Sequence, residues 1–264
     1  MTQGDVSIGV AGTLGPDAIA RLAPAVEQAG FRSLWVNDTP GGDSIAALEA
    51  AADATTSLAL ATGVIPVDRR HADAIVAAVQ RAELPEHRVV LGIGSGAARR
   101  GALALVGEAV AALHEGLAAR VLVGALGPKM RQLGAQQADG VLLSWLTPDA
   151  ATGQAQEAHG RAPGAHVALY VRTALEATAS ARLAEEAARY GSYPAYAANF
   201  ARLGIAPQQT VLDATTFEAG IRLYRDAVDE VVLRVIAPGD SVDDHLRFIE
   251  AAAERIRAAE VQGR

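Results

Sequence analysis

Short, nearly unbroken apolar segments recur along the chain, and nearly every one is followed by a stretch whose apolar residues repeat at helical spacing. Eight such segments stand out, at residues 6–12, 33–38, 58–66, 88–96, 121–129, 140–148, 166–175 and 230–239. They are β-branched or leucine-rich with no polar alternation, the pattern of strands covered on both faces. Strands of that kind belong to parallel sheets flanked by helices, and a strand–helix alternation repeated eight times predicts an α/β fold, a (β/α)8 TIM barrel. The chain has 264 residues, close to the ~250 that such a barrel needs. A single domain over residues 1–264 is therefore expected.

The intervening segments carry helix signals. Residues 16–29 begin with Pro16 in the first turn and end at Gly30, the usual asymmetry of helix ends. Residues 43–56 open after Gly41 and Gly42, and residues 241–258 open at Ser241 with Asp243 and Asp244 in the first turn. The stretch 177–229 breaks the rhythm, with room for several helices between strands seven and eight. It carries Tyr190, Tyr193, Pro194, Tyr196 and Phe200. Aromatics at helical spacing usually pack into a core; covering the barrel mouth and packing against a second subunit are the other readings.

Composition narrows the setting. The apolar runs are too short to span a bilayer and no basic-then-apolar segment opens the chain, so a cytoplasmic protein is expected. The lack of cysteine removes disulfides, thiol nucleophiles and thiolate metal sites. A net charge of −7 argues against nucleic-acid and membrane partners, and aromatics at 4% are too sparse for a base-stacking platform. The basic residues are 22 arginines and one lysine, Lys129, which falls at the end of the fifth apolar segment.

In a (β/α)8 barrel the chemistry sits on the loops at the strand C-termini. GALGPKM (124–130) offers the best anion site there: Gly127 allows close approach, Pro128 suits a first helical turn, and the N–H groups of Lys129 and Met130 are left free. A phosphate and a plain strand-to-helix turn both explain those residues. Thr147 and Pro148 read as a helix cap. LGIGSG (91–96) lacks the spacing of a dinucleotide fingerprint; its glycines suit either a flat ring or tight packing at the barrel mouth. The arginine pairs Arg69–Arg70 and Arg99–Arg100 read as solvated surface or as a lining of that mouth.

Six histidines show no metal-ligand spacing, so no metal is expected. Ser95 and Ser144 lack a nucleophile elbow. Asp38, the one carboxylate at a strand end in the first half, is a candidate acid, base or hydrogen-bonding partner for a cofactor, or a cap for the next turn.

Taken together, AGFRSLWVND (29–38), LATGVIP (60–66), RVVLGIGSG (88–96), VGALGPKM (123–130) and ADGVLLSWLTP (138–148) resemble the bacterial luciferase-like superfamily. Within it, they resemble the oxidoreductases that use the deazaflavin coenzyme F420. The resemblance covers most of the first 150 residues and weakens afterwards. It implies a third strand ending in a bulge with a non-prolyl cis peptide behind the cofactor ring, at Gly63 and Val64. It further implies that Asp38 lies against the cofactor head group, that Ser95 hydrogen-bonds the ring or ribityl region, and that Leu126, Gly127, Lys129 and Met130 surround the phosphate.

Where sugar-phosphate dehydrogenases of the family carry a histidine and a glutamate as acid and base, this chain has Thr39 and Ala97. That dyad is absent, and no catalytic residue is assigned. The expectation is an oxidoreductase moving a hydride between F420, or alternatively FMN, and a small organic substrate, in a homodimer. A flavin monooxygenase, a non-catalytic cofactor binder, and a phosphate-binding isomerase or aldolase that would use Lys129 are the alternatives.

Overall fold

The structure, a computed structural model, describes residues 3–262. Strands β1 (Asp5–Ala11), β2 (Ser33–Asn37), β3 (Ala59–Pro66), β4 (Val89–Gly94), β5 (Arg120–Gly124), β6 (Gly140–Ser144), β7 (His166–Thr173) and β8 (Glu230–Val235) pair in parallel in chain order. The β8–β1 pairing closes the barrel. Helices α1 (Pro16–Gln28), α2 (Ser44–Ala54), α3 (Ala72–Arg81), α4 (Ala102–Gly116), α5 (Pro128–Gln137) and α6 (Pro148–Arg161) follow the first six strands. The excursion after β7 holds α7 (Ser180–Ser192), α8 (Pro194–Leu203) and α9 (Phe217–Ala227), and α10 (Val242–Gln262) follows β8. The predicted barrel and its helical excursion are both present.

Several strands are shorter than their apolar segments. Segment 121–129 divides into β5 and the start of α5, so Lys129 lies in a helix's first turn rather than on a strand. Segment 140–148 divides in the same way, at β6 and α6. The reason is that Ala125, Trp145 and Leu146, in the connecting loops, are themselves buried. Hydrophobicity therefore does not fall where the strand stops, while Pro128 and Pro148 mark the true helix starts.

Alternate strand residues face opposite sides. One set, including Ile8, Val10, Leu34, Val36, Leu60 and Leu91, packs under the helices. The other fills the barrel with Trp35, Ala61, Leu122, Leu142, Ala168, Tyr170 and Val232. Trp35 and Tyr170 meet edge to face at 5.9 Å. Small residues make room for these two rings: a Cβ on Gly9 would stand 2.7 Å from Tyr170 Cε1, and one on Gly92 would run into the Thr62 carbonyl. At least one glycine of LGIGSG is thus required by barrel packing.

The N-terminal end of the barrel is sealed by a polar plug. Glu230 Oε1 accepts from Ser7 Oγ (2.5 Å), Ser33 Oγ (2.5 Å) and Trp35 Nε1 (2.7 Å), and Oε2 lies 2.8 Å from His166 Nε2. Burial pushes the Glu230 carboxyl up, but His166, Ser33 and Ser7 outweigh it and hold it at about 2. No helix among the described residues is long and apolar enough to cross a membrane.

Candidate active site

The inward-facing residues at the C-terminal end form a layer of a different kind. Asn37 stands on β2, Gly63 and Val64 on β3, Gly94 on β4, Gly124 on β5, Ser144 on β6, Arg172 on β7 and Arg234 on β8. Apart from Val64 it has no apolar bulk. The β3–β4 register shifts between Thr62 and Ile65, and the Gly63–Val64 peptide between them is cis, at the place the family resemblance implies. Val64 rests on a glycine floor: a Cβ on Gly94 would stand 2.8 Å from its Cγ2, and one on Gly124 would stand 2.8 Å from its Cγ1. Both glycines are what let the bulged residue sit over the ends of β4 and β5.

The bulge is tied across the mouth by Asn37. Its Nδ2 donates to the Gly63 carbonyl, and its Oδ1 accepts from Arg234 Nε at 2.9 Å. Below Gly63, the Tyr170 hydroxyl is buried without a hydrogen-bond partner, and burial pushes its pKa up.

Of the residues singled out from the sequence, Gly63, Val64 and Ser95 converge where β3 and β4 end, and the Ser95 hydroxyl bonds to none of the described residues. Leu126, Gly127, Lys129 and Met130 make the β5–α5 turn. The Leu126 carbonyl is turned to Arg131 Nη1 (3.1 Å) and Arg202 Nη2 (3.0 Å), which fix the loop. Gly127 has φ −93° and nothing within 4 Å of a Cβ, so neither conformation nor crowding demands glycine there. No side chain caps α5 and no acidic residue stands in its first turn, whereas α1, α3 and α6 each have an aspartate there. Lys129 is exposed, and the Met130 side chain packs on the core.

Asp38 stands apart from this group. Its Oδ2 accepts from Ser44 Oγ (2.8 Å) and Ser44 N (3.3 Å), and Oδ1 lies 3.4 Å from Arg69, so it holds the loop before α2. The Thr39 hydroxyl is buried without a partner among the described residues, and the Ala97 N–H donates to Asp68 Oδ2 at 2.8 Å. Among the described residues no group of three histidines or carboxylates could hold a metal ion.

The aromatic excursion packs against the residue that follows β6. Trp145 is buried just beyond β6 at φ 59°, left-handed backbone that a bulky residue rarely adopts. Tyr190 lies 4.8 Å and Phe200 6.2 Å from it, and the Arg172 guanidinium stacks over it at 4.3 Å. Arg172 also donates to Ser144 Oγ (2.5 Å) and approaches Glu186 (3.5 Å). The sequence reading gave no role to Tyr170 or Arg234. Their signal was parity: Ala168, Tyr170 and Arg172, like Glu230, Val232 and Arg234, share the inner face of one strand.

The family model for luciferase-like monooxygenases matches residues 2–103. No curated protein sequence matches the chain. Among solved structures, the coenzyme F420-dependent tetrahydromethanopterin reductase of Methanopyrus kandleri aligns at a TM-score of 0.79 and 17% identity, covering 97% of this chain and 99% of that one. The monooxygenase RslO1 of Streptomyces bottropensis aligns at 0.73 and 17% identity, covering 96% and 99%. The oxygenating constituent of 3,6-diketocamphane monooxygenase from Pseudomonas putida, solved with FMN, aligns at 0.71 and 13% identity, covering 96% and 98%. At such identities the likeness establishes the fold. The chain matches the luciferase-like monooxygenase family model over residues 2–103, on a barrel fold shared with an F420-dependent reductase and a monooxygenase.

Proposed function

We propose that this protein is an oxidoreductase that binds coenzyme F420, with FMN as the alternative, and acts on a small organic substrate. The observation that carries the reading is the pairing of a glycine-floored shelf around Val64 with an uncapped, acid-free start of α5 beside it. Val64 and Gly94 would face the ring and Ser95 would hydrogen-bond it; Gly127, Lys129 and Met130 would receive the phosphate on free N–H groups at a helix N-terminus. The open space at Gly127 is room that a phosphate would fill. Bound there, the cofactor supplies the hydride chemistry.

The chain's own residues do the rest. Asn37 holds the bulge to Arg234, and the Trp145–Tyr190 cluster packs against Arg172 beyond the end of β6. No residue is assigned proton delivery, since Thr39 and Ala97 stand where the acid and base would be. The motif resemblance favours the deazaflavin, and implies a homodimer, which sedimentation measures.

The test is a titration of purified protein with F420 and with FMN, followed by absorbance, beside Gly127→Val and Lys129→Ala. Wild type binds one of the two, Gly127→Val folds but loses it, and Lys129→Ala binds more weakly. Failure of both cofactors to bind sinks the reading. Oxygen consumption with the bound, reduced cofactor would instead assign a monooxygenase.

A further inference from the structure

On the β8–β1 side of the mouth lies a cleft of about 620 Å3, lined by Thr13, Arg182, Glu186, Arg234, Asp240 and His245 among others. Its charges are unevenly matched. Arg182 is paired with Asp240 at 2.7 Å. Glu186 is approached by Arg172 at 3.5 Å and by Arg189 at 2.9 Å. Arg234 forms no ion pair among the described residues, and its bonds are Nε to the Asn37 amide oxygen (2.9 Å) and Nη1 to the Val235 carbonyl (2.5 Å). Both partners are neutral, and neither bond uses Nη2.

Arg234 also stands directly opposite Arg172 in the β7–β8 register, an arrangement of like charges that destabilises a sheet. Burial lowers the Arg234 pKa, and Arg172 adds to that while Glu186 opposes it. An arginine keeps its proton in a protein, so the charge stays and calls for an anion. The guanidinium is one residue's reach from the bulge, since Asn37 bonds to Arg234 with one end and to the Gly63 carbonyl with the other.

We infer that this cleft binds the carboxylate of the acceptor substrate, with Arg234 as its counter-ion and Nη2 as donor. A singly charged, planar oxyanion suits one free guanidinium nitrogen. A phosphate dianion, with more acceptor oxygens to satisfy, would meet one donor and the two carboxylates of Glu186 and Asp240 in the same cleft. Calling the anion an acceptor rests on the redox reading above; the anion site itself does not.

The experiment melts the protein, with and without F420, against acetate, glutarate, benzoate and cinnamate, each beside its uncharged amide at matched ionic strength, with inorganic phosphate as a separate arm. At least one carboxylate raises the melting temperature with concentration while its amide does not. Arg234→Met weakens that carboxylate about tenfold or more, while circular dichroism shows that it still folds, with a melting temperature without ligand lowered only by the loss of its bonds to Asn37 and Val235. Arg234→Lys keeps the charge, folds, and binds less tightly, because an ammonium lacks the rigid plane that sends Nε to Asn37 and Nη2 to the ligand.

Gly127→Val separates this site from the cofactor site: it loses F420 and keeps the carboxylate response. A carboxylate response in a wild type that binds neither F420 nor FMN leaves the anion site standing and removes the redox reading. The inference is overturned if every carboxylate behaves as its amide, if only phosphate stabilises, or if Arg234→Lys and Arg234→Met respond as wild type.

Discussion

The two ends of the barrel interior are both polar, and they are built on opposite rules. At the N-terminal end one carboxylate, Glu230, is matched by Ser7, Ser33, Trp35 and His166. At the C-terminal end Arg234 has no carboxylate partner among the described residues, and the buried polar atoms of Thr39, Asp68, Trp145 and Tyr170 go without hydrogen bonds. A satisfied network specifies a fold, while unsatisfied groups destabilise it unless something else completes them. The difference teaches that stability is concentrated at one mouth and left incomplete at the other, where barrels of this kind bind ligands.

Breaking the plug is expected to have the largest effect. Glu230→Leu strands the Ser7, Ser33 and Trp35 donors and should cost about 3 kcal/mol or more in denaturant unfolding. Acid sharpens the same contrast. The Glu230 carboxyl is held at about 2 against an ordinary 4.5, so its contribution is fully present above about pH 4.5 and is lost as pH falls towards 2. Unfolding midpoints followed from pH 6 to pH 2 should drop steeply in wild type and less steeply in Glu230→Gln.

Between the two ends, Gly9→Ala drives a methyl against Tyr170 Cε1 and Val232 Cγ1, and should cost about 1–3 kcal/mol by overpacking. Smallest in stability is Gly127→Val, where a side chain has open space; thermal unfolding should show a loss below about 1 kcal/mol. A large loss there would mean that the turn needs its glycine for folding, and the contrast between the two ends would weaken.

Much of the fold was legible because the alternation of apolar strands and amphipathic helices is a property of many residues at once. Strand ends were not, since buried loop residues such as Ala125 and Trp145 extend the apolar signal past the last ladder bond. The cis bond at Gly63–Val64 was readable from motif resemblance, and it is there. The two polar neighbours at the end of β2 differ in parity. Asn37 and Asp38 are adjacent and both polar, yet only Asn37 shares the inward parity of Ser33 and Trp35, while Asp38 is drawn off to Ser44. Arg234 escaped notice for a related reason. One arginine in an apolar strand shows its meaning only when the opposite strands are known.

The Ser7–Glu230 bond joins residues 223 positions apart. The seam it fastens, between the first and last strands, is the longest-range closure in the barrel and demands loop-closing entropy before any reward returns. During synthesis β1 must wait, with one edge unmet, until β8 has left the ribosome. The plug thereby makes the final strand the clasp of the whole ring, and a nascent chain stopped short of Glu230 has neither the clasp nor the carboxylate that knits it.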